Sequence, residues 1–114
     1  MTGLDLLHRM AAGLVPPPPF SVHVPLRLTY VMPGRVVFEY EPRDDHGNGL
    51  GSVHGGIVTT VLDSAMGCAV HSLLGEGESY ATVELKTTFA RPVTPAAGVL
   101  RAEGTVLHLS LIHI

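Results

Sequence analysis

The sequence is poor in cysteine, in charged residues and in long apolar runs, and each shortage narrows what the protein can be. One cysteine among 114 residues allows no disulfide within the chain and fits a reducing, cytoplasmic location. No stretch approaches the roughly 18 consecutive apolar residues of a membrane helix, and the first ten residues lack the layout of a secretory signal. We therefore expect a soluble cytoplasmic protein that does not associate with membranes.

The balance of charged and apolar residues indicates what kind of partner the chain takes. Charged residues make up 15% of the sequence and hydrophobic residues 46%, which suggests apolar surface that a partner subunit covers. The net charge of -3 argues against a general nucleic-acid binder. The histidines and the cysteine show neither HExxH nor CxxC spacing, so the sequence predicts no metal site, and it indicates no cofactor.

The first 19 residues predict a helix followed by a stiff connector. Apolar residues recur at helical spacing over residues 3–14. Four consecutive prolines, residues 16–19, then stop the helix and form a polyproline spacer, with a proline-motif ligand for another protein as the alternative. We assign residues 1–19 to this N-terminal helix and linker, and residues 20–114 to one domain.

The rest of the sequence switches between strand-like and helix-like patterns. Residues 22–30 alternate apolar and polar side chains, a type II turn follows at residues 32–35, and the alternation resumes over residues 36–40. Residues 57–73 are apolar on nearly all sides and exceed the usual strand length, which predicts a buried helix. Two later alternating stretches predict further strands: residues 82–89 and 100–106. The expected fold class is α+β, with a sheet wrapped on one long helix.

Two adjacent glycines, Gly55 and Gly56, stand where the predicted helix begins, although each costs about 1 kcal/mol relative to alanine inside a helix. The first N–H groups of a helix have no internal acceptor, and the helix dipole adds partial positive charge there. Without side chains at these positions, a ligand oxygen can approach the N–H groups, as in an oxyanion hole. A glycine-rich loop that merely makes a turn is the alternative.

Asp63 is the only charged residue, histidines aside, between His54 and Leu74. A buried unpaired carboxylate is costly, so Asp63 is a candidate general base, and the alternatives are a carboxylate that reaches solvent or one hydrogen-bonded in the core. Gly56 and Asp63 share one face of the predicted helix but lie about 10 Å apart along its axis. If both act on one carbonyl they come from two chains, which predicts an antiparallel helix pair in a homodimer.

The residues around the glycine pair resemble those of a known family. Residues 48–56 read NGLGSVHGG, Asp63 follows nine positions after His54, and a later stretch ends in Arg91-Pro92. With LDSAMGCAV and TVELKTTFARPVTPAAGVLRAEGTV, the similarity covers roughly residues 20–107. This combination resembles the hotdog-fold acyl-CoA thioesterases of the PaaI-like, phenylacetate-type superfamily.

The resemblance implies an antiparallel sheet around a central helix, a homodimer or a dimer of dimers, and an acyl-CoA substrate. It implies that the Gly55 N–H polarises the thioester carbonyl, while Asp63 of the facing subunit acts as base or nucleophile. The same resemblance suggests the remaining roles: Asn48 places the carbonyl or the water, His54 orients the site, Thr82 lies near the attacking water, Gly56, Phe89, Arg91 and Pro92 bind substrate, and Arg91 contacts a phosphate.

Other functions stay open from the sequence. A non-catalytic acyl-CoA-binding module would use the same fold, but binding alone needs no buried carboxylate. A hydratase or dehydratase on this fold would be expected to show a different His/Asp or His/Glu arrangement. No GxSxG motif is present, and Cys68 lies within the apolar helix, where core packing explains it better than nucleophilic chemistry.

The end of the sequence departs from the family pattern. Relatives continue for two further strands after the position of Leu107, whereas this chain ends in LHLSLIHI. The expectation is a hotdog domain that lacks its C-terminal strands and exposes a sheet edge. Residues 109–114 resemble translated sequencing-adapter sequence, so we expect them not to be native.

Overall fold

One long helix lies against a three-stranded antiparallel sheet in the computed structural model, which describes residues 1–110. The helices and strands follow in the order α1 (Gly3–Ala11), β1 (Leu26–Met32), β2 (Arg35–Tyr40), α2 (Gly55–His71) and β3 (Leu100–Thr105). Short 3₁₀ turns lie at Pro19–Val22, Asp44–His46 and Pro95–Ala97. The sheet order is β1-β2-β3. The predicted α+β class is confirmed.

The hairpin of β1 and β2 forms where the sequence predicts it. Its loop consists of Pro33 and Gly34, and Met32 pairs with Arg35 across the turn. Gly34 has φ 79°, the left-handed value that a type II turn requires at its third residue. The proline presets the preceding position, so this dipeptide specifies the turn and with it the strand register.

Helix α2 lies directly on β3 because a glycine faces it. A Cβ atom at Gly104 would stand 2.1 Å from the carbonyl oxygen of Ala65, so no side chain fits between the strand and the helix. Ala65 and Ala69 of the helix are fully buried, and Val61 of the helix and Ala102 of β3 belong to the same buried cluster. Small residues on the helix thus allow the close approach that the predicted sheet-on-helix packing needs.

The N-terminal segment differs from its predicted boundaries. Helix α1 ends at Ala11, before the prolines, because Gly13 adopts φ 74° and the Leu14 N–H donates to the Arg9 carbonyl at 2.9 Å. This is a Schellman motif, which closes a helix with a left-handed glycine. The predicted extension of the helix to residue 14 is therefore wrong.

The predicted start of the first strand is also wrong. Residues 19–22 form a 3₁₀ turn in which the Ser21 N–H donates to the Pro18 carbonyl, and β1 begins only at Leu26. Pro25 has no N–H to offer a neighbouring strand, so pairing starts after it.

The strand predicted over residues 82–89 does not form in the described structure. β3 pairs with β2, and residues 80–89 contribute to no ladder among residues 1–110. Alternation of apolar and polar residues marks a chain that can form a strand, but a strand also needs a hydrogen-bonding neighbour. Val83, which belongs to the apolar set of that alternation, is 97% exposed. The segment instead runs along α2.

The last part of the chain bears on two expectations. After β3, residues 106–110 contain no strand. Residues 111–114 lie outside the described residues, so the expectation about the origin of residues 109–114 falls largely there. Among the helices of residues 1–110, none combines the length and apolar character that a membrane crossing requires.

Candidate active site

Within the described part of the chain, the first turn of α2 leaves one backbone N–H without an acceptor. His54 is the N-cap residue, and its Nδ1 accepts a hydrogen bond of 2.9 Å from the Gly56 N–H. The His54 N–H in turn donates to the His46 carbonyl at 2.8 Å. The Gly55 N–H has no acceptor within residues 1–110. Of the two glycines predicted to supply an oxyanion donor, Gly55 is therefore the one whose N–H is open to a ligand, since the Gly56 N–H is already engaged.

The role of Gly56 is to leave room for this cap. A Cβ at Gly56 would lie 3.1 Å from His54 Nδ1, which is tighter than an ordinary contact. Because Nδ1 accepts a hydrogen bond, a neutral His54 ring carries its proton on Nε2. His54 thus caps the start of the helix through its ring, and its role in orienting the site stays a prediction.

The segment before β3 lies beside this helix start. The ring of Phe89 is 3.4 Å from the place where a Cβ of Gly55 would stand, and the Val53 N–H donates to the Val93 carbonyl at 2.7 Å. Arg91 and Pro92 lie between these two contacts and are exposed. The structure therefore brings Phe89, and the chain that carries Arg91 and Pro92, next to the free amide.

Asp63 lies on α2, about two turns after the glycines, and is hydrogen-bonded to Thr82. The Thr82 hydroxyl donates to Asp63 Oδ1 at 2.8 Å, and Asp63 is half-buried. The carboxylate is thus neither fully buried nor unpaired. Eight residues of helix separate it from Gly55, which is about 12 Å along the axis. The two groups are too far apart to act on one carbonyl within one chain.

Asn48 shapes its own loop. Its Oδ1 accepts hydrogen bonds from the Leu50 N–H at 2.8 Å and from the Ser52 N–H at 3.4 Å. Its backbone N–H donates to the Ser52 carbonyl at 2.9 Å. The side-chain oxygen is therefore engaged, and the Nδ2 group is the part left to face a ligand. In the described chain Asn48 makes no hydrogen bond to Gly55 or Asp63.

A buried pair that the sequence analysis missed holds this loop. His46 is 5% exposed, its Nε2 lies 2.7 Å from the His23 carbonyl, and its Nδ1 lies 2.6 Å from the Tyr40 hydroxyl. A carbonyl can only accept, so Nε2 donates and the neutral ring accepts the Tyr40 proton at Nδ1. Burial, more than the nearby Asp45 carboxylate, raises the pKa of the Tyr40 hydroxyl, which keeps it a donor. The signal in the sequence was Tyr40, an inward-facing tyrosine at the end of a strand, whose buried hydroxyl needs a hydrogen-bond partner.

Tyr40→Phe should lower the free energy of unfolding by about 1–3 kcal/mol, because it leaves His46 Nδ1 buried without a donor. The phenyl ring retains the stacking on His46, whose ring centroid lies 5.6 Å away. Urea denaturation followed by circular dichroism measures the change. Tyr30→Phe is the control, since Tyr30 is 41% exposed, and it should change stability by less than about 0.5 kcal/mol. Equal effects of the two substitutions would show that the Tyr40–His46 hydrogen bond does not stabilise the fold.

Cys68 behaves as a packing residue. It is half-buried on α2, and burial raises the pKa of its thiol to about 11. The thiol is therefore protonated near neutral pH and a poor nucleophile. Within residues 1–110 no group of three His, Cys, Asp or Glu side chains is arranged to hold a metal ion.

Comparisons with known proteins agree with this architecture. The family model described as "Thioesterase superfamily" matches residues 50–110, which is more than half of the chain. A protein of Halobacterium salinarum named "Putative esterase VNG_1336C" is 39% identical over 72 residues, a match that covers 61% of this chain and 46% of that protein. The chain thus spans about half the length of this curated relative.

Two solved structures share the fold. A Ralstonia eutropha protein, described as a "putative thioesterase, phenylacetic acid degradation-related protein", is 27% identical with a TM-score of 0.81, and the match covers 91% of this chain and 79% of that one. The E. coli PaaI protein from the phenylacetic acid degradation operon is 21% identical with a TM-score of 0.77, over 96% and 76% of the two chains. Since the family model matches residues 50–110, which include all of α2 and β3, the chain belongs to the thioesterase superfamily and has the hotdog fold of the PaaI-like proteins.

Proposed function

We propose that the protein hydrolyses an acyl-CoA thioester to a free acid and coenzyme A, at a site shared between two copies of the chain. The observation that carries this proposal is the pair of groups on α2: a free Gly55 N–H where the helix begins and the Asp63 carboxylate two turns later. Thioester hydrolysis needs a donor for the carbonyl oxygen and a base for water. The chain carries both.

The distance between the two groups supports a shared site. About 12 Å of helix separates Gly55 from Asp63, whereas a reacting carbonyl and its attacking water lie about 3 Å apart. An antiparallel pair of α2 helices about a twofold axis would bring Asp63 of one copy to Gly55 of the other. The symmetry would create two equivalent sites in each dimer.

The reaction follows from these positions. Asp63 takes a proton from water, the water oxygen forms a bond to the thioester carbonyl carbon, and the carbonyl oxygen becomes an oxyanion held by the Gly55 N–H. The tetrahedral intermediate then breaks its C–S bond, and the departing thiolate takes the proton that Asp63 holds, which restores the carboxylate. Alternatively, Asp63 attacks the carbonyl itself and water hydrolyses the resulting anhydride. In both routes the Thr82 hydroxyl steadies the carboxylate.

Arg91 is the proposed contact for a phosphate of coenzyme A. It is exposed, it lies in the segment that adjoins the Gly55 amide, and it takes part in none of the ion pairs of residues 1–110. A guanidinium group suits phosphate recognition because its donors can contact two oxygens at once. Phe89 would cover the acyl carbonyl from the side of Gly55.

Arg91→Ala should raise the KM for an acyl-CoA roughly tenfold with little change in kcat, because it removes a charge-assisted contact to the leaving group. The KM for the matching acyl-N-acetylcysteamine thioester, which lacks phosphates, should not change. Thiol release followed with a chromogenic disulfide measures both rates.

Arg9→Ala, which removes an arginine from the exposed end of α1, is the control and should leave both KM values unchanged. Equal effects of Arg91→Ala on the two substrates would reject the phosphate contact. The function itself is tested by the wild-type chain against acyl-CoAs of different length. Binding of acyl-CoA without thiol release would instead favour the non-catalytic binding module.

A further inference from the structure

A cavity of about 630 Å³ lies between the N-terminal segment and α2. The end of α1 and the prolines form one wall, β1 and β2 form the second, and Ser64 and Cys68 of α2 form the third. Its volume is within the range of about 300–1,000 Å³ typical of small-molecule sites. None of the residues assigned above to the reaction lines it.

The cavity is free of charge inside. Among residues 1–110, the one charged residue of its wall is Arg27, whose side chain is 75% exposed and pairs with Glu39 on the outer face of the sheet. Burial raises the pKa of Cys68 to about 11, so the thiol on the wall is neutral. An apolar chain fits such a space, whereas the phosphates of coenzyme A would lose their hydration without compensation.

One end of the cavity adjoins the Asp63–Thr82 pair. Ser64, on the wall, is the residue after Asp63, and Tyr80, also on the wall, stands two residues before Thr82. Tyr80 packs tightly on α2, because a Cβ at Gly67 would lie 2.6 Å from its hydroxyl oxygen. The segment that carries Thr82 to the carboxylate therefore also closes the cavity.

We propose that this cavity takes the acyl chain of the substrate, and that the N-terminal residues that line it, residues 10, 11 and 13–18, set its length. The inference rests on the proposed thioester hydrolysis and names the substrate class: straight-chain acyl groups of medium length. If a methylene fills about the 30 Å³ of a liquid water and half of the space is occupied, the cavity holds roughly ten carbons. An acyl chain that enters beside Asp63 leaves the nucleotide outside.

The prolines make this wall rigid. Pro16, Pro17 and Pro18 all line the cavity, and each has its φ angle fixed by its ring. A rigid wall does not move to admit a longer chain, so it discriminates chain length better than a mobile one. It also loses less conformational entropy on binding. The connector that the sequence analysis interpreted as a spacer thus also serves as a surface of the binding site.

Ala11→Trp tests the assignment, and Ala12→Trp is its matched control. Both alanines are exposed at the end of α1, but only Ala11 lines the cavity. A tryptophan at position 11 should displace about three methylenes, and each buried methylene contributes roughly fourfold in affinity. We expect the ratio of kcat/KM for decanoyl-CoA to that for acetyl-CoA to fall at least tenfold in Ala11→Trp and to stay within twofold in Ala12→Trp.

A binding measurement separates this inference from the proposed reaction. In an Asp63→Asn background, calorimetry should show decanoyl-CoA binding at least tenfold tighter than acetyl-CoA or phenylacetyl-CoA, with the decanoyl advantage reduced by Ala11→Trp. Circular dichroism shows whether each variant is folded.

The outcomes differ for the two proposals. If decanoyl-CoA binds in this way but the wild-type chain hydrolyses no thioester, the proposed reaction fails and the cavity assignment stands. If hydrolysis occurs but the two tryptophan variants have the same chain-length preference, or phenylacetyl-CoA binds more tightly than decanoyl-CoA, the cavity assignment is overturned.

Discussion

Asp63→Asn should lower the turnover of the proposed acyl-CoA substrate roughly 10³-fold, within the 10²–10⁴ typical of a lost general base. The amide has the same shape as the carboxylate, and its oxygen can still accept the hydrogen bond that the Thr82 hydroxyl donates at 2.8 Å. The substitution therefore removes the ability to take a proton, or to attack as a nucleophile, while it preserves the packing. Thiol release measures the rate. Calorimetry with acyl-CoA should show that the variant still binds the substrate.

Asp44→Asn is the control for this charge change. Asp44 is an exposed carboxylate in the 3₁₀ turn before the loop, so its loss changes the net charge of the chain by the same amount. Its effect on turnover should stay within about twofold, as for surface substitutions in general. If Asp63→Asn retained a tenth or more of the wild-type turnover, the carboxylate would have no catalytic role.

The sequence predicts those parts of the fold that depend on neighbouring residues. The helix predicted over residues 57–73 lies at Gly55–His71, and the Pro33-Gly34 turn forms as expected. In both places the side-chain pattern and the backbone preference point to the same structure. The position of the glycine pair at the start of a helix can likewise be predicted from the sequence, because it depends only on neighbouring residues.

Other features depend on side-chain orientations and neighbours that the sequence pattern does not specify. Nothing in the residues around His46 reveals that Tyr40 and the His23 carbonyl will meet its ring. Similarly, the alternation over residues 82–89 is compatible with a strand. Whether a strand forms depends on a neighbouring strand to pair with, and the alternation does not show whether one is present. The choice of Gly55 over Gly56 as the free donor follows from the His54 ring, whose orientation the sequence does not specify.

Gly55→Pro should reduce turnover by 10²–10³, the loss seen when one oxyanion donor is removed. Gly55 is the first residue of α2, where proline is favoured because its missing N–H has no role in the helix. The preceding residue, His54, already has φ -56° and ψ 132°, which a following proline requires. The substitution therefore deletes one N–H group and leaves the helix in place.

Gly55→Ala is the matched control, because alanine adds a Cβ next to Phe89 but keeps the N–H. The added carbon meets the Phe89 ring at 3.4 Å, which is an ordinary contact. We expect alanine to retain most of the turnover and proline to lose it. Equal losses would show that the space beside Phe89, and not the hydrogen bond, is what Gly55 provides.

Mixing Gly55→Pro with Asp63→Asn decides whether the two groups act across a subunit interface. If each site combines Gly55 of one copy with Asp63 of the other, half of the randomly reassorted dimers are mixed and each has one intact site. The mixture should then recover about one quarter of the wild-type turnover, although each variant alone is nearly inactive. If both groups came from one chain, every site would lack one of them and mixing would restore nothing. Recovery therefore requires both the amide and the carboxylate, each from a different copy.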